Sequence, residues 1–190
     1  MNIIQIGCND GNDHVFKFVN ENHLKINKVL LIDAVPACIE MAKEQYKNFA
    51  FIEYKNLAII ADLKEMIPFF VSEHDHYAQC SLYKNHVIKH CGNNISEIIV
   101  PAKNINDLIF KFSENIIDRL YIDAEGEDAN LILNLNFNIK QIKFIQYESA
   151  HSSNNELAME KLQKNNYNIE FYPSSNITAI KKELKREDFI

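Results

Sequence analysis

Gln5-Ile6-Gly7-Cys8-Asn9-Asp10-Gly11 is the stretch that decides the fold, because it joins a short apolar run to a glycine-containing turn. It holds two of the four glycines in a chain of 190 residues. Glycine at position 7 lets the backbone turn tightly and lets a ligand approach it closely. The apolar residues before the turn predict a buried strand, and the polar residues after it predict the start of a helix. The stretch therefore predicts a strand, a ligand-binding turn and a helix, in that order.

An acidic residue stands where a nucleotide-binding fold needs one. Asp33 ends the second apolar run about 20 residues beyond Gly11, which is the offset at which a carboxylate meets ribose hydroxyls. A dinucleotide-binding turn has a further glycine between the outer two, but this chain has Asn9 there and Asn12 after the turn. The spacing therefore favours an adenosine cofactor without phosphates, such as S-adenosylmethionine, over a pyrophosphate cofactor.

Apolar runs alternate with amphipathic segments, which predicts an α/β fold with a mostly parallel sheet and helices on both faces. We predict strands at 3–6, 28–33, 49–54, 97–100, 118–123 and 142–148, and helices at 14–22, from 36 onward, and at 106–112, 127–135 and 154–164. Residues 64–71 are expected at a sheet edge because of Pro68, and residues 72–92 show no clear period. Residues 169–171 and 177–180 predict a C-terminal antiparallel hairpin around Pro173 to Asn176. We expect a single domain over residues 1–190, with a variable acceptor-binding or lid segment at about 64–103.

The composition excludes several classes of protein. A net charge of −6 argues against nucleic-acid binding, which usually needs a basic stripe. No apolar run approaches the roughly 20 residues of a membrane-spanning helix. The four cysteines have no C-x-x-C spacing, so zinc ribbons and thioredoxin-type sites are not indicated. Reduced thiols in a cytoplasmic protein are the simplest interpretation.

An ordered set of motifs resembles the FkbM-type S-adenosylmethionine-dependent methyltransferases. Residues 5–11 align with the family's D-[IV]-G-A-N-x-G turn, and Asp33-Ala34-Val35-Pro36 align with the Glu-Pro that ends its second strand. Asn56-Leu57-Ala58 match an Asn-x-Ala segment, and Ser81-Leu82 loosely match a serine-containing loop. The block at 121–128, Tyr-Ile-Asp-Ala-Glu-Gly-Glu-Asp, matches the family's K-I-D-x-E-G-x-E, and Glu148 matches a glutamate at the end of the next strand.

This resemblance implies a class I, Rossmann-like methyltransferase fold and S-adenosylmethionine as the cofactor, with S-adenosylhomocysteine as its product. It implies that the glycine turn lines the methionine part of the cofactor, that Asp33 holds the ribose and that Asn56 with its neighbours borders the adenine. The cofactor-binding residues expected from it are Gly7, Asn9, Asp10, Gly11, Asp33, Asn56, Leu57, Ala58 and Asp123.

Gln5 departs from the family pattern, because relatives have an acid before the glycine turn. An acid there would bind loop amides and bias the ammonium end of the cofactor. We therefore expect Gln5→Asp to be tolerated or to tighten cofactor binding.

Four polar residues at the ends of two predicted neighbouring strands are the candidate catalytic group: Asp123, Glu125, Glu148 and His151. Neighbouring parallel strands lie about 4.8 Å apart, so these side chains can converge. One interpretation is a proton relay with His151 as the base, because its ordinary pKa suits neutral pH. A second is a divalent metal held by the three carboxylates, which we do not favour. In a third, Asp123 and Glu125 bind backbone amides and cap the next helix, and His151 is an ordinary loop residue.

The segment at 64–103 supplies the candidate acceptor-binding residues Ser81, Tyr83 and His86. His74, His76, His86 and His90 also lie in it, but without a carboxylate pattern we expect no metal there. The resulting prediction is O-methylation of a small polar acceptor, namely a hydroxyl of a sugar, glycan precursor or natural product. The alternatives are a non-catalytic adenosine-ligand-binding paralogue in an assembly, and N-methylation of a small polar acceptor. The sequence makes no prediction about oligomeric state.

Overall fold

The computed structural model describes residues 1–171 and 176–184, except for the side chains of His74 and Asp75. The strands are β1 Asn2–Ile6, β2 Lys28–Asp33, β3 Ile52–Asn56, β4 Ala58–Ile60, β5 Met66–Val71, β6 Ser96–Asn104, β7 Ile116–Ile122, β8 Gln141–Glu148, β9 Tyr167–Phe171 and β10 Asn176–Lys181. The helices are α1 His14–Asn22, α2 Pro36–Gln45, α3 Lys84–Cys91, α4 Ile105–Lys111, α5 Asp128–Asn134 and α6 Asn155–Lys164. Two 3-10 turns lie at His23–Lys25 and His74–Tyr77.

Seven strands form the main sheet in the order β3-β2-β1-β7-β8-β10-β9. Within this sheet, neighbouring strands pair in parallel across β3, β2, β1, β7 and β8, and β10 is antiparallel to both β8 and β9. This confirms the predicted α/β fold with a mostly parallel sheet and a C-terminal antiparallel pair. The predicted turn at Pro173 to Ser175 lies outside the described residues.

Both faces of the sheet are buried, which explains why its strands read as continuous apolar runs. In β1, Ile4 and Ile6 pack into one core cluster with residues of α4, α5 and α6. Ile3 points to the other face and packs with residues of α1 and α2. The alternation along one strand thus anchors helices on both sides of the sheet, as the sequence predicts.

The segment at 64–103 is more regular than its sequence indicates. β5 and β6 pair antiparallel, and β4 joins β6 in a second sheet of order β4-β6-β5. Pro68 lies on the outer strand β5, as expected. Residues 84–91 form the helix α3, which the sequence analysis did not predict, and Val87 is its buried residue. Among the described residues, none of the helices is both long enough and apolar enough to cross a membrane.

Candidate functional site

The site lies where the strand order reverses, between the carboxyl ends of β1 and β7. Ligands of open α/β sheets bind at this point. Gly7 follows β1 with a φ of +75°, and its N–H donates to the Ile32 carbonyl at 2.8 Å. A Cβ atom at position 7 would lie 1.8 Å from the Asp123 carbonyl oxygen in the loop after β7. Glycine is therefore required here so that the two loops can pass each other.

Asp33 fixes the loop after β1 through backbone hydrogen bonds. Its Oδ2 accepts the Asn9 N–H at 2.9 Å, and its Oδ1 accepts the Val35 N–H at 2.9 Å. Burial raises the pKa of Asp33 to about 6, although these amide hydrogen bonds oppose the shift. A carboxylate has about four acceptor positions, so both Asp33 oxygens can still accept hydroxyl groups from a ligand.

A cavity of about 780 Å³, including its open mouth, joins these loops. The residues predicted from sequence that line it are Gly7, Asn9, Asp33, Leu57, Ala58, Asp123 and Glu125. The other residues that line the cavity include Phe69, Tyr77, Cys80, Leu82 and Glu127. Four of these five come from the segment at 64–103. The role of this segment in acceptor binding or as a lid stays a prediction.

Among the described residues, three of the predicted cofactor residues do not line the cavity: Asp10, Gly11 and Asn56. Gly11 packs against α2, where an added Cβ would lie 2.9 Å from Tyr46 Cε2. Asn56 donates its amide hydrogens to the carbonyls of Asp33 and Ala34 at 3.0 Å each. Asp10 accepts the Asn12 N–H at 2.8 Å. Direct cofactor contact by Asp10, Gly11 and Asn56 stays a prediction.

The carboxyl groups of Asp123 and Glu125, in the loop after β7, line the cavity, and Glu148 at the end of β8 lies beside Glu125. Burial, followed by the neighbouring Asp123 and Glu148, raises the pKa of Glu125 to about 9. Burial and then Asp128 raise the pKa of Glu148 to about 7. Desolvation of the carboxylate by the surrounding protein, followed by Glu148 and Asp128, raises the pKa of Asp123 as well. The Asp123 side chain nevertheless stays accessible to solvent through the cavity. These three neighbouring acids are therefore easily protonated near neutral pH.

His86 and His151 lie against these carboxyl groups. His86 Nε2 is 3.0 Å from Glu125 Oε2. His151 Nε2 is 3.9 Å from the same oxygen and 4.0 Å from Glu148 Oε1. Burial, and secondarily the facing His151 and His90, lower the pKa of His86 to about 4, and burial, with His90 and Lys89, also lowers the pKa of His151. Both imidazoles are thus neutral at pH 7. The structure brings all four predicted catalytic residues together.

Ser81 and Tyr83, predicted to bind the acceptor, make hydrogen bonds within the protein. The buried Ser81 hydroxyl donates to the Glu125 carbonyl at 2.8 Å. Tyr83 donates its hydroxyl to Glu127 Oε2 at 2.5 Å. These contacts position the loop after β7. Acceptor binding by Ser81, Tyr83 and His86 stays a prediction.

Asp128 is a site residue that the sequence analysis did not single out. It is fully buried, and it accepts the N–H groups of Ala124 at 3.0 Å and Gly126 at 3.2 Å. Asp128, rather than Asp123 or Glu125, therefore binds the loop amides at the start of α5. This leaves the other two carboxyl groups free to face the cavity. The sequence signal was present, because Asp128 follows a glycine turn at the start of a helix, a position that favours acids.

Gln5 anchors α1. Its side chain is buried, and its amide Nε2 donates to Asp13 Oδ2 at 2.5 Å. The other oxygen of Asp13 accepts the N–H groups of Val15 and Phe16 and so caps the helix. An acid at position 5 would face the Asp13 carboxylate. The expectation that Gln5→Asp is harmless is therefore reversed.

We expect Gln5→Glu, which keeps the side-chain length, to destabilise the protein by about 2–3 kcal/mol, since it loses the hydrogen bond and opposes two carboxylates. The melting temperature should fall by roughly 5–10 °C. Adding Asp13→Asn should recover most of this loss, because asparagine caps helices equally well and can donate to Glu at position 5. Thermal unfolding of the three proteins checks this, and a double variant no more stable than Gln5→Glu alone would contradict it.

Comparison with known proteins gives one family. The model of that family, described as the methyltransferase FkbM domain, matches residues 5–175. No curated protein is significantly similar to the chain. Among solved structures, the chain is similar to the FkbM methyltransferase from Methylobacillus flagellatus KT, with a TM-score of 0.58 and 11% identity over 94% of this chain and 43% of that one.

A second similar structure is the fibrillarin pre-rRNA processing protein from Methanococcus jannaschii. Its TM-score is 0.50, with 12% identity over 95% of this chain and 66% of that one. The chain thus spans less than half of the first relative and slightly less than two thirds of the second. At these identities the two structures show a shared fold.

Proposed function

The chain belongs to the FkbM methyltransferase family, and from this membership we propose that it transfers a methyl group from S-adenosylmethionine to a hydroxyl of a small polar acceptor. The acceptor classes we propose are a sugar, a glycan precursor or a natural product. The observation that carries the proposal is a cavity that extends from Asp33 after β2, past the touching loops of Gly7 and Asp123, to Glu125.

The first end of the cavity fits an adenosine cofactor. Asp33 provides acceptor positions for a ribose diol at the end of β2, and Leu57 and Ala58 provide an apolar wall beside it. Gly7 and Asn9 expose backbone near the strand-order reversal, with positive φ angles of 75° and 43°. S-adenosylmethionine, when bound, supplies a methyl group on a sulfonium centre.

The second end fits an acceptor that must lose a proton. A hydroxyl nucleophile needs a base, and a base works best when its pKa is close to the working pH. Glu148, with a pKa of about 7, is the proton acceptor that we propose, and its Oε1 lies 4.0 Å from His151. Glu125, with a pKa of about 9, is protonated at neutral pH and donates a hydrogen bond to an acceptor oxygen. The sequence-based assignment of His151 as the base becomes a supporting role in this proposal, because the pKa of His151 is lowered.

We expect Glu148→Gln to reduce turnover on hydroxyl acceptors by roughly 10²–10⁴-fold, which is typical for loss of a general base. In the wild type, the rate should rise as the pH rises through about 7 and the Glu148 carboxyl group ionises. This rise should be absent in Glu148→Gln. The assay is mass spectrometry of the methylated products of matched acceptors. Each sugar is compared with the amino sugar that has an amine in place of the hydroxyl at the same carbon. Amine acceptors should depend less on Glu148.

The matched control is Glu156→Gln, which changes an exposed acid in the first turn of α6. It should leave turnover unchanged. Equal rates for Glu148→Gln and the wild type would remove Glu148 from the mechanism. Cofactor binding without transfer to any acceptor would favour the non-catalytic alternative, and transfer to amines alone would favour N-methylation.

We also propose the cytoplasm as the compartment. The support is that Cys8, Cys38, Cys80 and Cys91 are all free thiols, which is usual in a reducing compartment.

A further inference from the structure

Three imidazole rings meet at the edge of the site, and we call them the histidine cluster: His86, His90 and His151. The ring centroids of His86 and His90 are 4.7 Å apart, and those of His86 and His151 are also 4.7 Å apart. His90 and His151 complete the triangle at 4.9 Å. Two of the rings come from successive turns of α3, and the third comes from the loop after β8.

The donor atoms of the histidine cluster are close enough to share a metal ion. One ring nitrogen from each histidine lies within 4.8 Å of the corresponding atoms of the other two. Metal–nitrogen bonds of 2.0–2.1 Å place tetrahedral ligand atoms about 3.3 Å apart. Small rotations of side chains would close this gap. Histidines spaced i and i+4 on one helix face, as His86 and His90 are, form a common zinc-binding pair.

The carboxyl groups beside the cluster complete a metal-site pattern. A histidine that binds a metal usually donates its other N–H to a carboxylate, which fixes the orientation of the ring. Glu125 Oε2 lies 3.0 Å from His86 Nε2, although neither atom has a hydrogen-bond partner within the described residues. A small rotation of either side chain would let an ionised Glu125 accept this N–H and so take the outer position. Glu148 Oε2 is buried and has no hydrogen-bond partner within the described residues. Glu125, Glu148 and His151 also have donor atoms within 4.8 Å of one another.

We propose that His86, His90 and His151 bind one transition-metal ion of the zinc class, with Glu125 orienting His86. Imidazole ligands select zinc, iron, nickel or copper over Mg²⁺ and Ca²⁺, which prefer oxygen. His90 is exposed, so an ion can enter from solvent. Three protein ligands also leave the fourth position open for water or another oxygen ligand, as in catalytic zinc sites.

This inference does not depend on methyl transfer, since it concerns metal binding alone. The ion would join α3 to the loops after β7 and β8. Glu125 both lines the cavity and contacts His86, so the ion would lie one side chain away from the cavity. His76, which was grouped with His86 and His90 in the sequence, is not part of this ligand set, and the side chain of His74 lies outside the described residues.

The test is a titration of metal-free, tag-free protein with Co²⁺ followed by visible absorption, and with Zn²⁺ by calorimetry. We expect one ion per chain, with a dissociation constant for Zn²⁺ of about 1 µM or lower and d–d absorption from Co²⁺. Millimolar Mg²⁺ should not compete. His90→Ala, which removes an exposed side chain, should weaken Zn²⁺ binding by roughly 100-fold or more, and His86→Ala/His90→Ala should abolish it.

The matched control is His23→Ala, because His23 is an exposed histidine far from the cluster in the fold. It should bind Zn²⁺ as the wild type does. Zn²⁺ binding that is absent, or that survives unchanged in His90→Ala and in the double variant, would overturn the proposal. Calorimetry with S-adenosylhomocysteine on the same metal-free preparation tests the proposed function independently. The failure of one proposal can therefore be distinguished from the failure of the other.

Discussion

Gly7→Ala should destroy the cofactor end of the cavity. The new Cβ would lie 1.8 Å from the Asp123 carbonyl oxygen, a backbone atom that cannot rotate away. The φ of +75° adds strain for any residue with a side chain. We expect a loss of stability of about 4 kcal/mol or more, a fall in melting temperature of at least about 10 °C and no measurable binding of S-adenosylhomocysteine.

Gly92→Ala separates strain from collision. Gly92 has nearly the same φ, +77°, but an added Cβ there would meet nothing within 4 Å. Gly92→Ala should lose only the roughly 1–3 kcal/mol of stability that the backbone strain costs, and it should retain cofactor binding. Circular dichroism melts and calorimetry check both variants. If Gly7→Ala were no worse than Gly92→Ala, the close passage of the loops after β1 and β7 would be wrong.

Asp33→Asn should weaken binding of S-adenosylhomocysteine by roughly 10–100-fold. Hydrogen bonds to a charged group contribute about 1.5–3 kcal/mol, and the amide also replaces one of two oxygens that now accept the N–H groups of Asn9 and Val35. Glu44→Gln, which changes an exposed acid on α2, is the control and should bind as the wild type does. An unchanged affinity in Asp33→Asn would remove Asp33 from the ribose site.

The pH dependence of binding provides a second readout of Asp33. Its pKa of about 6 is above the ordinary value because of burial, so the carboxylate becomes protonated as the pH falls through 6. A protonated carboxyl accepts hydroxyl donors poorly, so wild-type affinity should fall by roughly tenfold between pH 7 and pH 5. Asp33→Asn should show a flatter profile. The same fall in both proteins would assign the titration to another group.

Local signals in the sequence were sufficient for most elements of the main sheet. Helix α1 was predicted with its observed bounds because Asp13 is a strong cap and Val15 and Val19 share one face. Asp33 and Gly7 were identified because the turn and the acid keep a fixed spacing. The shared fold then brings both to the same cavity.

Other elements lacked such signals. Strand β4 has only three residues, Ala58–Ile60, too few to show a period. In α3 the buried residue is Val87, so there is no apolar stripe to indicate a helix. The histidine cluster needs His151 beside that helix, and only tertiary structure brings these residues together. The sequence does not distinguish Asp128 from Asp123 and Glu125, because these neighbouring acids differ mainly in the directions of their side chains.

Isothermal titration calorimetry of the wild-type protein with S-adenosylhomocysteine tests the central claim, which is that the cavity between Asp33 and Glu125 is a cofactor site. One molecule should bind per chain at micromolar concentrations, NADH should not compete, and Asp33→Asn should weaken the binding. If the folded protein gave no heat of binding with S-adenosylhomocysteine at high micromolar concentration, this result would contradict the account.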